Sequence, residues 1–188
     1  MPLTPFHIAY VLPLRMKFKQ LDFQALSLGS MVPDFEIPVL AAIGFNPTRL
    51  ITQSLVGAFT VDIFLAACVA WLLQHFKLSR CGFYGFDTFK FTSRFALSAM
   101  LGALAHVAVD ALHHEANPVI WPLQPHYIPS LLFEMVGWPW AHLVVNGISL
   151  LIIALEFQRL LTKNGQTFRL IFFNPLRAAK ILTHSLAS

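Results

Sequence analysis

The sequence predicts an all-α integral membrane protein of about four membrane-embedded helical segments, the N-terminal one a broken or re-entrant hairpin, with a C-terminal amphipathic helix. Three observations carry this expectation. Hydrophobic residues make up 56% of the 188 residues and charged residues only 12%, against about 25% charged in soluble domains. Mean hydropathy is +0.64. The Lys and Arg residues stand in short clusters that flank apolar runs, which is how charge marks membrane topology rather than how it lines a nucleic-acid surface. The net charge of +4 therefore points to the lipid bilayer as partner, and no nucleic acid is expected.

The first segment is a pair of apolar stretches, Pro5 to Leu14 and Leu21 to Phe45, separated by Arg15, Lys17 and Lys19. Pro33, Pro38 and Gly44 interrupt the second, so a break is expected there. The basic cluster follows the first apolar stretch, the reverse of a cleavable signal peptide, and the N-terminus is expected to be retained.

The run from Ile51 to Phe76 reads as the clearest spanning helix, with Asp62 inside it and Trp71 and His75 at its interfacial end. A polar loop follows, from Lys77 to Arg94, broken by Gly82 and Gly85. The next span, Phe95 to His114, is rich in Ala, Gly and Ser, which let helix backbones approach closely.

Glu115 to Gly137 contains Pro118, Pro122, Pro125 and Pro129, the interfacial residues Trp121 and Tyr127, and neither Lys nor Arg. It is expected to be irregular and non-cytoplasmic. A further span covers Trp138 to Phe157, and the tail beyond it, with Arg169, Arg177 and Lys180 among apolar residues, suggests an amphipathic surface helix. One membrane domain, residues 1–160, and a basic cytoplasmic tail, residues 161–188, result. With every basic loop on one side, both termini are cytoplasmic. Cys68 and Cys81 form no CxxC pair and no disulfide framework.

Ionisable residues inside membrane segments cost about 2.5–3.5 kcal/mol each on insertion scales, so His7, Asp34, Asp62, His106, Asp110 and His142 each call for a reason. Counting from the flanking basic ends at about 1.5 Å per residue places His106, Asp110, Asp62 and His142 in one layer, roughly 18–25 Å up. A helical hairpin brings His7 and Asp34 to a common depth. His106 and Asp110, four residues apart, share a helix face. That pair is a workable clip for zinc or a similar divalent ion, with further ligands from His7 and Asp34 and an open position for water.

Other roles compete for each residue. His106 and Asp110 also suit a hydrogen-bonded pair that satisfies itself between helices. Asp62 suits a contact with a neighbouring helix, and His142, beside Trp138 and Trp140, an interfacial position. Asp34, after Pro33, suits a helix cap as well as a metal, and Glu36 could share either role. His113 and His114 fall near the membrane surface. Neither G-x-S-x-G nor a Cys–His nucleophile pairing occurs.

The opening MPLTPFHIAYVLPL, the run LSLGSMVPDFE, the stretch QSLVGAF and the segment AHVAVDALHHEANPVIWPL together resemble a family of small bacterial membrane proteins. It is catalogued as a domain of unknown function and grouped with inner-membrane metal-dependent hydrolases. The resemblance runs from Met1 to about Phe157. It implies a bacterial inner membrane location and places His7, Asp34, His106 and Asp110 on the family's suspected metal-binding positions. It also exposes a departure: family members commonly carry a His-Ser pair where this chain has Gln53-Ser54, so one expected ligand is missing, which implies either a lower metal affinity or its substitution by His113, His114 or His142.

Three functions follow as expectations. The first is a membrane-embedded metal-dependent hydrolase acting on a lipid or lipid-linked substrate. The second is a non-catalytic scaffold or accessory subunit that binds a protein partner or a second copy of itself. The third is an ion pathway, which in so short a chain without an inverted repeat would need oligomerisation.

Overall fold

A computed structural model describes residues 7–45, 49–76, 90–114, 117–123 and 130–163, with the backbone alone at 160, 161 and 163. Every regular element among them is helical. Much of the Lys77 to Arg94 loop, Cys81, Tyr127 and the expected amphipathic tail lie outside the described residues.

Helix α1 (Ile8–Lys17) ends in the basic cluster, with Arg15 and Lys17 in its last turn, where positive charge complements the exposed carbonyls. Asp22 then caps α2 (Phe23–Met31), accepting from the Gln24 amide at 2.9 Å and the Ala25 amide at 3.1 Å. The break expected near Pro33 and Pro38 takes the form of a 3-10 turn between two α-helices, without the chain leaving helical geometry. Pro33 enters a 3-10 turn (Val32–Phe35) in its first positions, and Pro38 lies in the first turn of α3 (Glu36–Ala42). A proline in the first turn of a helix has little hydrogen bonding to lose. The stretch Phe23–Ala42 therefore runs as one helical unit of 20 residues that is tightened in the middle. It ends where Gly44 takes φ +72°, a left-handed cap that costs glycine little.

The single helix expected over Ile51 to Phe76 is instead two. Ser54 caps the short α4 (Leu55–Phe59), accepting from the Gly57 amide at 3.1 Å. Thr60, at φ −134° and ψ −82°, then leaves helical geometry before α5 (Val61–His75) begins. Its hydroxyl donates to the Val56 carbonyl at 2.6 Å, an alternative partner that competes with the helical ladder. At about 1.5 Å per residue, the 15 residues of α5 reach roughly 22 Å, short of a hydrocarbon core of about 30 Å.

Helix α6 (Ser93–His113), capped by the Thr92 hydroxyl, is the centre of the molecule and packs along α2. Two glycines set this crossing. A Cβ on Gly29 would stand 2.0 Å from the Ala99 carbonyl oxygen, and one on Gly102 would stand 2.2 Å from that of Leu26. The backbones touch because nothing larger fits. Val11, Leu12, Leu21, Phe23 and Leu26 form a core on one side of this pair. Ala25, Val32, Ala66, Ala70 and Ala99 form another against α5.

Within the segment expected to be irregular, Leu131–Val136 instead forms a short α7, capped by the Ser130 hydroxyl and closed by Gly137 at φ +79°. Helix α8 (Trp138–Lys163) extends past the expected end at Phe157. Ile152 and Ile153 pack on the core beside α1, while Leu143, Ile148, Leu151 and Leu155 are exposed. Among the described residues three helices are long and apolar enough to cross a membrane, Phe23–Ala42, Ser93–His113 and Trp138–Arg159. This is the make-up of a membrane protein, with lipid the natural cover for the apolar outer faces.

Candidate metal centre

Four elements converge on His106, which is wholly buried on α6. Its Nδ1 stands 2.8 Å from the Ser30 carbonyl oxygen. A carbonyl only accepts, so Nδ1 carries the hydrogen, and in the neutral ring Nε2 is left as a lone pair. That lone pair faces three oxygens: Gln53 Oε1 at 3.2 Å, Asp110 Oδ2 at 3.4 Å and Asp34 Oδ1 at 3.7 Å. A proton or a cation has to lie between them, since an imidazole lone pair and acceptor oxygens repel one another. The close α2–α6 crossing at Gly29 and Gly102 brings Ser30 within reach of His106.

His7, just before α1, stands with its Nδ1 3.3 Å from Asp34 Oδ2. The geometry is not that of a hydrogen bond, and both its ring nitrogens are buried without one. Its ring meets the His106 ring edge-on, centroids 4.5 Å apart. His7, Asp34 and His106 each offer an atom within 4.8 Å of the others. Two ligands of a tetrahedral ion bound at about 2.0 Å stand roughly 3.3 Å apart, so the contacts of 3.3, 3.4 and 3.7 Å match the spacing of such a donor set. Ring hydrogen bonding of His106 to a main-chain carbonyl is also the outer contact that orients metal-binding histidines.

Gln53, the position at which a ligand is expected to be missing, faces the site. It is fully buried, its amide nitrogen donates to the Pro33 carbonyl at 3.1 Å, and Asp34 Oδ1 lies 3.5 Å away. Glu36 neither caps a helix nor joins the ligands. Its carboxylate accepts from the Leu50 and Ile51 amides at 2.9 and 3.1 Å and from the Thr52 hydroxyl at 2.8 Å, pinning residues 50–52 against the 3-10 turn.

That pinned loop delivers Arg49, which sequence reasoning missed. Its Nη1 donates to Asp110 Oδ2 at 3.1 Å and its Nη2 stands 3.1 Å from His114 Nε2. An isolated Arg in a loop between apolar runs gave no sign of this role; only its lack of a nearby carboxylate in sequence could have hinted at a distant one.

The expected metal residues His7, Asp34, His106 and Asp110 are thus together. Asp62 is buried with both carboxylate oxygens free of hydrogen bonds among the described residues, so the helix contact expected of it is not a hydrogen bond. Asp34 caps nothing, because α3 starts from Phe35 without a side-chain cap. His113 is buried rather than at the surface, and His142 sits against His113 and His114 as well as Trp138. His114, just past α6, is pushed down to about 2 by burial, with Arg49, His113 and His142 adding to the shift and Asp110 opposing it, so its ring is neutral.

A family model described as Domain of unknown function (DUF4184) matches residues 1–81. The match takes in His7, Asp34, Arg49 and Gln53 and ends before α6, so it covers the N-terminal part of the likeness expected to reach Phe157. No curated protein and no solved structure matches the chain significantly.

Proposed function

We propose that this chain is a membrane-embedded, metal-dependent hydrolase of the bacterial inner membrane. Its substrate is a lipid or lipid-linked molecule, and its ion is divalent, of the zinc class, held by His7, Asp34, His106 and Asp110. The observation that carries the reading is the His106 Nε2 lone pair, fixed by the Ser30 carbonyl and aimed at three oxygens. A divalent ion at that point would supply Lewis acidity and a water acidic enough to act as nucleophile near neutral pH.

The chain's own residues do the rest. Ser30 holds the His106 ring in one tautomer. Gln53 orients Asp34 from the side opposite His7. Arg49 neutralises part of the charge of Asp110 and is the cation best placed to meet an anionic substrate group. The apolar faces of α6 and α8 favour a substrate that arrives from lipid. The charge pattern of the loops supports cytoplasmic termini, which requires α4 and α5 to cross together as a fourth segment.

A second reading, a non-catalytic scaffold, is favoured by one observation: Gln53 contacts both Asp34 and His106, and Arg49 pairs with Asp110, so much of the polar network is closed by the chain itself. Elemental analysis of detergent-purified protein separates the two. Divalent metal bound by the wild type and clearly reduced in a His106→Ala, Asp110→Ala variant, together with metal-dependent cleavage of a phospholipid or lipid-linked ester that this variant loses, is the expected result. Metal-free wild type, or activity unchanged by chelation, sinks the hydrolase reading.

A further inference from the structure

Asp110 presents its two oxygens to two different groups of imidazoles. Oδ2 lies 3.4 Å from His106 Nε2, while Oδ1 lies 3.6 Å from His114 Nε2 and 3.9 Å from His113 Nε2. Oδ1 has no hydrogen-bond partner among the described residues. On its side, the rings of His113 and His114 at the end of α6 meet His142 from α8, with centroids 4.1, 5.1 and 4.8 Å apart. One nitrogen of each of the three histidines lies within 4.8 Å of the others.

The tautomer of His113 is determined by its surroundings. Nδ1 stands 2.7 Å from the Val109 carbonyl oxygen, which only accepts, so the hydrogen is on Nδ1 and the lone pair on Nε2. The residue is fully buried, and Nε2 has no hydrogen-bond partner among the described residues; nor has His142 Nδ1. His114 Nε2 faces the Arg49 guanidinium, a group that only donates, so it too carries a lone pair. Imidazole nitrogens gathered in this way, with a carboxylate oxygen alongside, are a zinc-type donor set with room for a further ligand.

We infer that His113, His114 and His142 bind a second divalent ion of the zinc class, with the Asp110 carboxylate lying between it and the first. The description of this ion as one of a pair rests on the reading of His7, Asp34 and His106 as a metal site; the three-histidine set stands on its own geometry. Arg49 holds the place of a cation between the two groups, and it must leave His114 for that ring to bind an ion through Nε2.

The test is metal counting on the full chain in detergent. Protein is stripped with chelator, loaded with Zn²⁺ or Co²⁺ and freed of excess; metal per chain and the visible Co²⁺ spectrum are then read. The wild type should hold about two ions, and the His113→Ala, His142→Ala and the His7→Ala, His106→Ala variants about one each, with different Co²⁺ spectra. About one ion, kept by the first variant and lost from the second, overturns the second site and leaves the hydrolase reading standing. The reverse pattern establishes the three-histidine site and overturns the first. No ion in the wild type overturns both. If the double variants do not elute as single species, His142→Gln, on the partly exposed start of α8, is read instead. It should weaken one Co²⁺ site at least about tenfold, and unchanged binding overturns the inference.

Discussion

Gln53 turns its side-chain oxygen to His106 Nε2 at 3.2 Å while its amide nitrogen donates to the Pro33 carbonyl at 3.1 Å. The orientation of the amide is thereby set, and an oxygen rather than a nitrogen faces the candidate metal position. Replacing Gln53 with histidine should add a nitrogen ligand and raise Zn²⁺ affinity by about tenfold or more, by analogy with the scale on which changes around metal sites act. Competition against a coloured chelator reads this directly. Affinity that is unchanged or lower would place residue 53 outside the ligand shell.

Arg49 donates to Asp110 and faces His114, so it opposes any cation that approaches either. Arg49→Met keeps the length of the side chain and removes the charge. Divalent metal should bind more tightly in this variant, by at least a few-fold, because a unit charge some 4 Å away contributes about 1–4 kcal/mol at effective dielectrics between bulk water and a protein surface. Isothermal titration with Zn²⁺ measures the change. Hydrolytic turnover should fall in the same variant, since the group placed to meet an anionic substrate is gone.

Glu36 accepts three hydrogen bonds from residues 50–52. Glu36→Ala leaves two amides and a hydroxyl to find other partners, at a cost of about 1–3 kcal/mol. Hydrogen exchange should quicken over residues 49–54 and the metal affinity should move in the same direction as in Arg49→Met, because the loop that delivers Arg49 is released. Exchange as slow as in the wild type would mean the loop is held by something else.

The α2–α6 crossing predicts a sharp contrast among glycines. Gly29→Ala and Gly102→Ala each drive a methyl into main-chain atoms near 2 Å away, which cannot rotate aside. Each should cost at least about 1–3 kcal/mol and lower the thermal midpoint in detergent. Gly147→Ala meets nothing within 4 Å and should be neutral or slightly stabilising, by up to about 1 kcal/mol, as alanine is the better helix former.

The pH dependence of stability follows from His114. Burial holds its folded value down at about 2, below the unfolded value of about 6.5. Below pH about 6.5 the unfolded chain takes up a proton that the folded chain does not, so folding stability falls as pH drops from 6.5 towards that folded value. Thermal midpoints measured in detergent at pH 7.5 and pH 5 should show the loss, and His114→Phe should reduce it. An equal loss in that variant would assign the effect to other groups.

How much of this was legible in the sequence depends on whether a feature is local. Helix α6 was readable because its small residues and the i, i+4 spacing of His106 and Asp110 are encoded within a few turns. The depth count also brought His7 and Asp34 to a common depth, since rise per residue is a property of the helix and not of its neighbours. It could not say what Asp62 faces, because depth says nothing about direction around a helix axis or about which helix stands opposite. The 3-10 turn that takes up Pro33 ahead of α3, and the break at Thr60, depended on where in a turn each residue fell, a matter of one or two positions that hydropathy does not resolve.

By itself the sequence determined that this chain is helical, apolar enough for membrane, and furnished with buried His and Asp in need of partners, because composition and periodicity act on each segment separately. Only the tertiary structure decided which partners meet. Arg49 reaches Asp110 across 61 residues and His142 reaches His113 from another helix, contacts that exist because Gly29 and Gly102 let α2 and α6 touch and because α8 folds back beside them. No local rule contains those distances; they are set by how helices of given width pack around the two glycines that allow the closest approach.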